Sequence, residues 1–355
     1  MIAVIPPELI HSILLFASAK EPGVIDPDYN TLCQLALVHP TWTEPAQSLL
    51  YYHITYRKSI AFVDHALSIA VEKRKLHHTK ILDIGISPLG AVPNSHHDAD
   101  ETRLVNILTV CPNIVDLAIR PHGLYAIDPS TVTKFVDLVN TRTLSIRTLR
   151  LLDYPVQSPV VLNLAILFPT MASLVLGSES YISPPDTSFD LRLEEFILYR
   201  TVRADTLSWF LASSKTSLRV LELRDPVSSG MAALLANHGP SIQTLRIMNY
   251  NSAAAGIVEI CTNLKELVLL NVPTLVPMPK LPHTLQHLAF MNQAYVSSST
   301  LLPVVKAIQT APSLLTLRCP QETQKHSEFP LLAQACDSHK INLIASLPKS
   351  WMAVQ

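Results

Sequence analysis

Leu218-Arg219-Val220-Leu221-Glu222-Leu223 is followed by Ile242-Gln243-Thr244-Leu245-Arg246-Ile247, and then by Leu264-Lys265-Glu266-Leu267-Val268-Leu269. Each hexapeptide is apolar at its first, fourth and sixth places. The last two of these are two residues apart, so on an extended strand both point to the same side. The first fills the turn that leads into the strand. A strand this short is not stable alone, so each copy needs a neighbour beside it.

The pattern continues in both directions. Upstream it reads Ile114, Leu117, Ile119; Ile146, Leu149, Leu151; Met171, Leu174, Leu176; and Leu193, Phe196, Leu198. Downstream it reads Leu285, Leu288, Phe290, then Leu314, Leu317, Cys319, with weaker flanking copies at Thr79, Leu82, Ile84 and Ser338, Ile341, Leu343. Proline stands two residues before the first anchor at Pro112, Pro169, Pro240 and Pro312, where it ends a helix and sets an extended approach to the strand. Cys111 and Cys261 both stand three before their anchors, a placement that marks them as buried packing residues. Helical segments are expected in the gaps at 101–111, 129–140, 203–214, 227–238, 252–261, 298–310 and 328–336.

Strand-then-helix units at these spacings, about 20–29 residues in all but the first gap, resemble the leucine-rich-repeat family over residues 76–346. The resemblance implies an α/β solenoid with a curved parallel sheet inside and helices outside. The chain departs from the family in one respect. Asp153, Asp225, Asn249, Asn271 and Asn292 fall two residues after the last anchor, where a regular asparagine is expected three after it.

Residues between the anchors should face outward, and that face is the candidate target-binding surface. Arg150, Glu222 and Arg246 share one place in their repeats, and Tyr199, Arg224, Met248, Leu270 and Met291 share the next. Arginine and aromatic residues are favoured at binding hot spots. Met248, Leu270 and Met291 are expected to form an apolar patch, and Arg150, Arg224 and Arg246 would suit a phosphorylated target.

Ahead of the array, Val4 to Tyr52 has a separate character. Ile5-Pro6-Pro7-Glu8-Leu9-Ile10 opens a helix, with proline in the first turn and a carboxylate beside the positive helix end. Leu9, Ile10, Ile13, Leu14 and Phe16 recur at helical spacing. After a loop from Lys20 to Asn30, a second helix is expected over Thr31 to His39, stopped by Pro40, and a third over Pro45 to Tyr51. Three short helices bury too little apolar surface to stand alone. The order Pro7, Glu8, Leu9, Ile10, Ile13, Leu14, Leu35, Val38, Trp42 resembles the F-box motif. Ile5 replaces the family's leucine before the proline, the first loop is long, and Leu49-Leu50-Tyr51 replaces the late Leu-Trp. The resemblance implies docking on a Skp-type adaptor of a cullin–RING ubiquitin ligase. Pro7, Leu9, Ile10, Ile13, Leu14, Leu35, Val38 and Trp42 are the residues carried over as adaptor contacts, some of which must instead form the small internal core.

The expected organisation is an F-box-like helical domain at 1–56, a linking helix at 57–75, the solenoid at 76–346 and a tail at 347–355. Of 355 residues, 48% are apolar and only 15% charged, which points to extensive burial. A net charge of −1 gives no basic footprint for nucleic acid. No apolar run reaches the roughly 18 residues of a membrane span. Ile2 to Ala19 ends in a mimic of a signal-peptidase site, but no basic residue precedes it and Pro6, Pro7, Glu8 and His11 interrupt it, so it reads as a retained helix. Five cysteines without a Cys-x-x-Cys fit reduced thiols in a cytoplasmic or nuclear protein.

No nucleophile elbow, zinc-protease motif or phosphate loop occurs. Asn94 to Glu101, with two histidines and three carboxylates, reads as a loop with a helix cap rather than a metal site, and His77-His78 as surface residues with nothing to pair them. No enzyme activity, cofactor or metal is therefore expected. The leading expectation is a substrate adaptor of a ubiquitin ligase whose repeats hold an unknown target protein. Its rivals are a repeat scaffold whose helices only cap the array, and an enzyme on an α/β sheet.

Overall fold

The helices at the start of the chain pack through alternate faces of closely spaced apolar residues. In the computed structural model, which describes residues 5–19, 28–56, 76–88, 101–141, 144–270, 272, 278, 280–291 and 300–346, they are α1 (Pro7–Ser18), α2 (Tyr29–Leu35) and α3 (Pro40–Leu50). The linking helix expected at 57–75, the loop at 94–100, Asn271, Asn292, the tail at 347–355 and most of the loop after Ala19 lie outside the described residues. Pro7 is the first residue of α1, as expected, with Glu8 in its first turn.

The other two helices differ from expectation. Helix α2 starts earlier, because the Asp28 carboxylate accepts from the Asn30 amide at 3.2 Å and the Thr31 hydroxyl at 2.7 Å. It also ends earlier. The amides of Leu37 and Val38 turn back onto Gln34 and Leu35, and the Thr43 hydroxyl takes the Ala36 carbonyl. Pro40 does not merely stop a helix: it opens α3, with His39 Nδ1 accepting from the Thr41 amide at 3.2 Å. A fixed φ and a missing N–H suit the first turn of a helix as well as a stop. Trp42 consequently sits inside α3. Ile10, Leu14, Leu32, Ala46 and Leu49 form the core of this trio, with Leu35, Ala36, Trp42 and Leu50 packed against it.

The chain forms two compact units, Met1–Met171 and Ala172–Pro348. In the first, β1 (His53–Tyr56) pairs in parallel with β2 (Ile81–Ile86), with His53 opposite Ile81. Strand β1 begins directly after the helical trio, inside the range 1–56 expected as an F-box-like helical domain. Helix α4 (Glu101–Val110), β3 (Asp116–Pro121), α5 (Pro129–Asn140), β4 (Thr148–Leu151) and α6 (Val160–Ile166) complete the unit. Strands β2, β3 and β4 pair in parallel in chain order, placing Leu82, Leu117 and Leu149 in one row.

In the second unit the same device repeats through β5 (Ser173–Leu176), β6 (Glu195–Leu198), α7 (Ala204–Leu211), β7 (Val220–Leu223), α8 (Ser229–Leu235) and β8 (Thr244–Ile247). It continues through α9 (Ser252–Ile260), β9 (Glu266–Leu269), β10 (His287–Phe290), α10 (Leu302–Thr310), β11 (Thr316–Arg318), α11 (Phe329–Ser338) and β12 (Asn342–Ile344). Every neighbouring pair is parallel and in chain order. The register lines up Leu174, Phe196, Leu221, Leu245, Leu267, Leu288 and Leu317, all buried. The leucine-rich-repeat-like stacking expected from the sequence is therefore present in each unit. Helix α6 was not expected.

Two polar ladders tie successive repeats together. The residue just before a first anchor donates its side chain to a carbonyl of the preceding repeat: Asn113 to His77 at 2.7 Å, Thr170 to Ile146 at 2.9 Å, Ser217 to Leu193 at 2.8 Å and Asn263 to Pro240 at 2.7 Å. Beyond the strands, Asp225 accepts from the Thr201 amide at 2.8 Å and the Asn249 amide group donates to the Arg224 carbonyl. Asp225 and Asn249, displaced from the family's usual position, thus bridge repeat to repeat. At one place the backbones come very close: a Cβ on Gly239 would stand 2.6 Å from the Ile260 carbonyl oxygen.

Phe196 lies fully buried within the anchor row, so Phe196→Ala should cost about 3–5 kcal/mol of unfolding free energy in a denaturant titration. Asn263→Ala removes one ladder bond and should cost about 1 kcal/mol in the same measurement.

Candidate interaction surfaces

The outward positions of the strands occupy the rows read from the sequence. Ile197 stands opposite Glu222, Glu222 opposite Arg246, and Arg246 opposite Val268. In the next row the amides of Tyr199, Arg224, Met248, Leu270 and Met291 each bond to the preceding strand in the same way. Shared register does not give shared exposure, however. Glu222 is buried, its side chain 5% exposed, and it accepts from Arg224 Nε at 2.8 Å and Arg246 Nη1 at 3.4 Å. The Arg224 guanidinium lies over the Tyr199 ring, 3.3 Å from its centroid, a cation–π contact. Glu222 is therefore the clamp under this face, not a contact residue on it.

The apolar patch expected late in the array is also corrected. Met248 and Met291 are buried, and only Leu270 of the three is partly exposed. Strands lie about 4.8 Å apart, so long side chains on adjacent strands cover one another. Among the residues that the face offers to solvent are Tyr199, the outer parts of Arg224 and Arg246, Leu270, His287 and Arg318.

In the first unit Arg150 pairs with Asp116 at 2.5 Å and is nearly half exposed. Arg120 pairs with Asp83 and with Asp153 at 3.0 Å. Asp153 takes a positive φ of 51°, which orients its carboxylate in the turn beyond β4. Each arginine considered for a phosphorylated target is already matched by a carboxylate, so a phosphate would have to compete with Glu222 or Asp116.

The helical trio sorts residues that the sequence left mixed. Ile10 and Leu14 face inward and are core, while Leu35 and Trp42 are half-buried against that core. Pro7, Leu9, Ile13 and Val38 are exposed, and Phe16 and Leu37 are the most open large apolar side chains of the trio at 88% and 86%. Leu9, Ile13 and Phe16 follow the i, i+4, i+7 spacing of one helix face. Leu15 and Leu37 are also exposed and stand outside the F-box-like pattern. For Leu15 the available signal is a helix apolar on two faces; Leu37 lies in the turn after α2.

Cys111, Cys261, Cys319 and Cys336 are buried and Cys33 is exposed. Burial pushes the Cys261 thiol up to about 12 and the other three buried thiols up to about 11. The packing role read for Cys111 and Cys261 agrees with this. His77 and His78 differ from expectation, because His78 Nε2 lies 3.2 Å from a Glu44 carboxylate oxygen. No helix among the described residues is long and apolar enough to cross a membrane.

No family model matches the chain, and no curated protein matches it. Among solved structures, a chain of the Toll–Spatzle complex, a molecular hub in Drosophila development and innate immunity, is similar at a TM-score of 0.34 and 12% sequence identity. The match covers 76% of this chain and 40% of that one, so this chain spans less than half of its length. So distant a likeness carries no weight here. The repeat architecture rests on the register and hydrogen bonds of the strands themselves.

Glu222→Ala removes the carboxylate that two guanidinium groups share, and should lower stability by about 1.5–3 kcal/mol in denaturant unfolding. With native protein near pH 8, iodoacetamide should label Cys33 rapidly and the four buried thiols only after unfolding, as read by mass spectrometry of the alkylated peptides.

Proposed function

We propose that the chain is a bridging adaptor: its helical trio docks a Skp-type adaptor of a cullin–RING ubiquitin ligase, and its repeats hold the protein to be ubiquitinated. The observation that supports this most is the division of labour within the trio. Ile10, Leu14, Leu32, Ala46 and Leu49 satisfy the core, leaving Leu9, Ile13, Phe16, Leu37 and Val38 in solvent. Burying one such side chain is worth about 1.5–3 kcal/mol, so leaving these exposed makes sense if a partner covers them. The adaptor's identity comes from the F-box resemblance of residues 7–42. On the target side, Tyr199, Arg224, Leu270, His287 and Arg318 present mixed aromatic, cationic and apolar groups over a preorganised sheet. In this reading the chain supplies proximity and the ligase supplies the chemistry.

The direct passage from α3 into β1 favours one rival. There the trio serves as a helical cap on the first repeat of a scaffold with no ubiquitin role. The two readings separate on capture of the purified Skp-type adaptor by the full chain. The adaptor reading expects a stable complex that Phe16→Asp and Leu9→Asp each weaken roughly tenfold, about 1.4 kcal/mol, with unchanged melting temperature. Leu14→Asp, by contrast, should unfold the trio, because it places a carboxylate in the core. A wild-type chain that captures no adaptor would overturn the ligase reading and leave the cap.

A further inference from the structure

We propose that Glu44, His77 and His78 form a zinc-binding site that staples the helical trio to the first repeat. One ligand atom from each of the three residues can be chosen so that all lie within 4.8 Å of one another. His78 Nε2 and a Glu44 carboxylate oxygen are 3.2 Å apart. Zinc bonds of about 2.0–2.1 Å in tetrahedral geometry place neighbouring ligand atoms roughly 3.3 Å apart. That edge of the tetrahedron is thus already set; the His77 ligand atom lies within 4.8 Å of the other two, and binding would draw it in by spreading the two imidazole rings apart.

The backbone around the site is held independently of any metal. His77 and His78 lie in the short 3₁₀ turn Leu76–His78, and Leu76 and Thr79 on either side of them are buried. The Asn113 ladder bond fixes the His77 carbonyl at 2.7 Å, and the two imidazole rings lie side by side with centroids 3.8 Å apart. Glu44 comes from α3, 34 positions away from His78. The same turn borders a cleft of about 490 Å³ whose walls include His11, Tyr52, His53 and Lys80. The cleft leaves room for water as a fourth ligand.

The donor set excludes the alkaline-earth ions and admits zinc among the first-row transition metals. Two imidazole nitrogens and one carboxylate suit zinc, whereas calcium and magnesium require oxygen shells. A bound ion would link α3 to the turn preceding β2, so binding free energy becomes folding free energy for this part of the first unit. The site is independent of the ligase reading, since none of its ligands belongs to the exposed apolar face.

The test uses the full chain, stripped with a chelator and titrated with zinc chloride by calorimetry and thermal melting. We expect one zinc per chain, a rise in melting temperature absent with magnesium, and affinity lowered roughly tenfold or more by His78→Ala or Glu44→Gln. Cobalt should give tetrahedral ligand-field bands that His78→Ala removes. Cys33→Ser, and His122→Ala in the exposed turn just after β3, should bind zinc as the parent does. Metal-free melting of His77→Ala at the parent's temperature shows that the exposed position tolerates the change. No zinc uptake, or full affinity in a His77→Ala/His78→Ala double variant, would overturn the proposal.

Discussion

A strand of three or four residues cannot hold its own shape, and nearly everything in this protein follows from that. Strands such as Val220–Leu223 and Thr244–Ile247 exist because each lends its backbone groups to the next in parallel register. Parallel pairing requires a crossover between strands, so a helix or a long connection must follow each one. The crossover returns the chain beside the strand it left, and apolar anchors fill the space between. The repeat length varies widely along the chain because the connections absorb the difference, while the anchors cannot move.

The same constraint explains the polar ladders. Short strands end often, and each end leaves carbonyls and amides without a partner in the sheet. Side chains of neighbouring repeats take up some of them. Asn113, Thr170, Ser217 and Asn263 do so on one side and Asp225 and Asn249 on the other. At the centre of the second unit, Glu222 plays a comparable part among side chains. A buried carboxylate is costly unless paired, and Arg224 and Arg246 together make it tolerable while fixing Tyr199.

What was legible in the sequence was periodicity, and what was not was depth. The anchors were readable because their spacing alone places them on one side of a strand. Exposure of the opposite side was not, since it depends on which long side chain on the next strand lies across it, as at Met248 and Glu222. Helix α6 escaped because Val160–Ile166 is nearly all apolar and buried around much of its circumference, so it has no amphipathic period to detect. The trio was readable as helices. Its surface was not, because Leu9, Ile10, Ile13 and Leu14 are chemically alike and only packing tells core from surface. Pro40 was misread because a proline that ends one helix can equally begin the next. The ladder residues carried a signal that was overlooked: a small polar residue recurs just before the anchor.

Within each unit, strand order is chain order, and that has a consequence for how the protein is made. Every strand pairs with the one synthesised just before it. A repeat of about 20–29 residues, produced at roughly 5–20 residues per second, emerges every few seconds. Each new repeat meets a finished surface and waits for nothing that lies downstream. The growing end carries an open strand edge until the next repeat arrives, so synthesis and folding can advance together from the amino end.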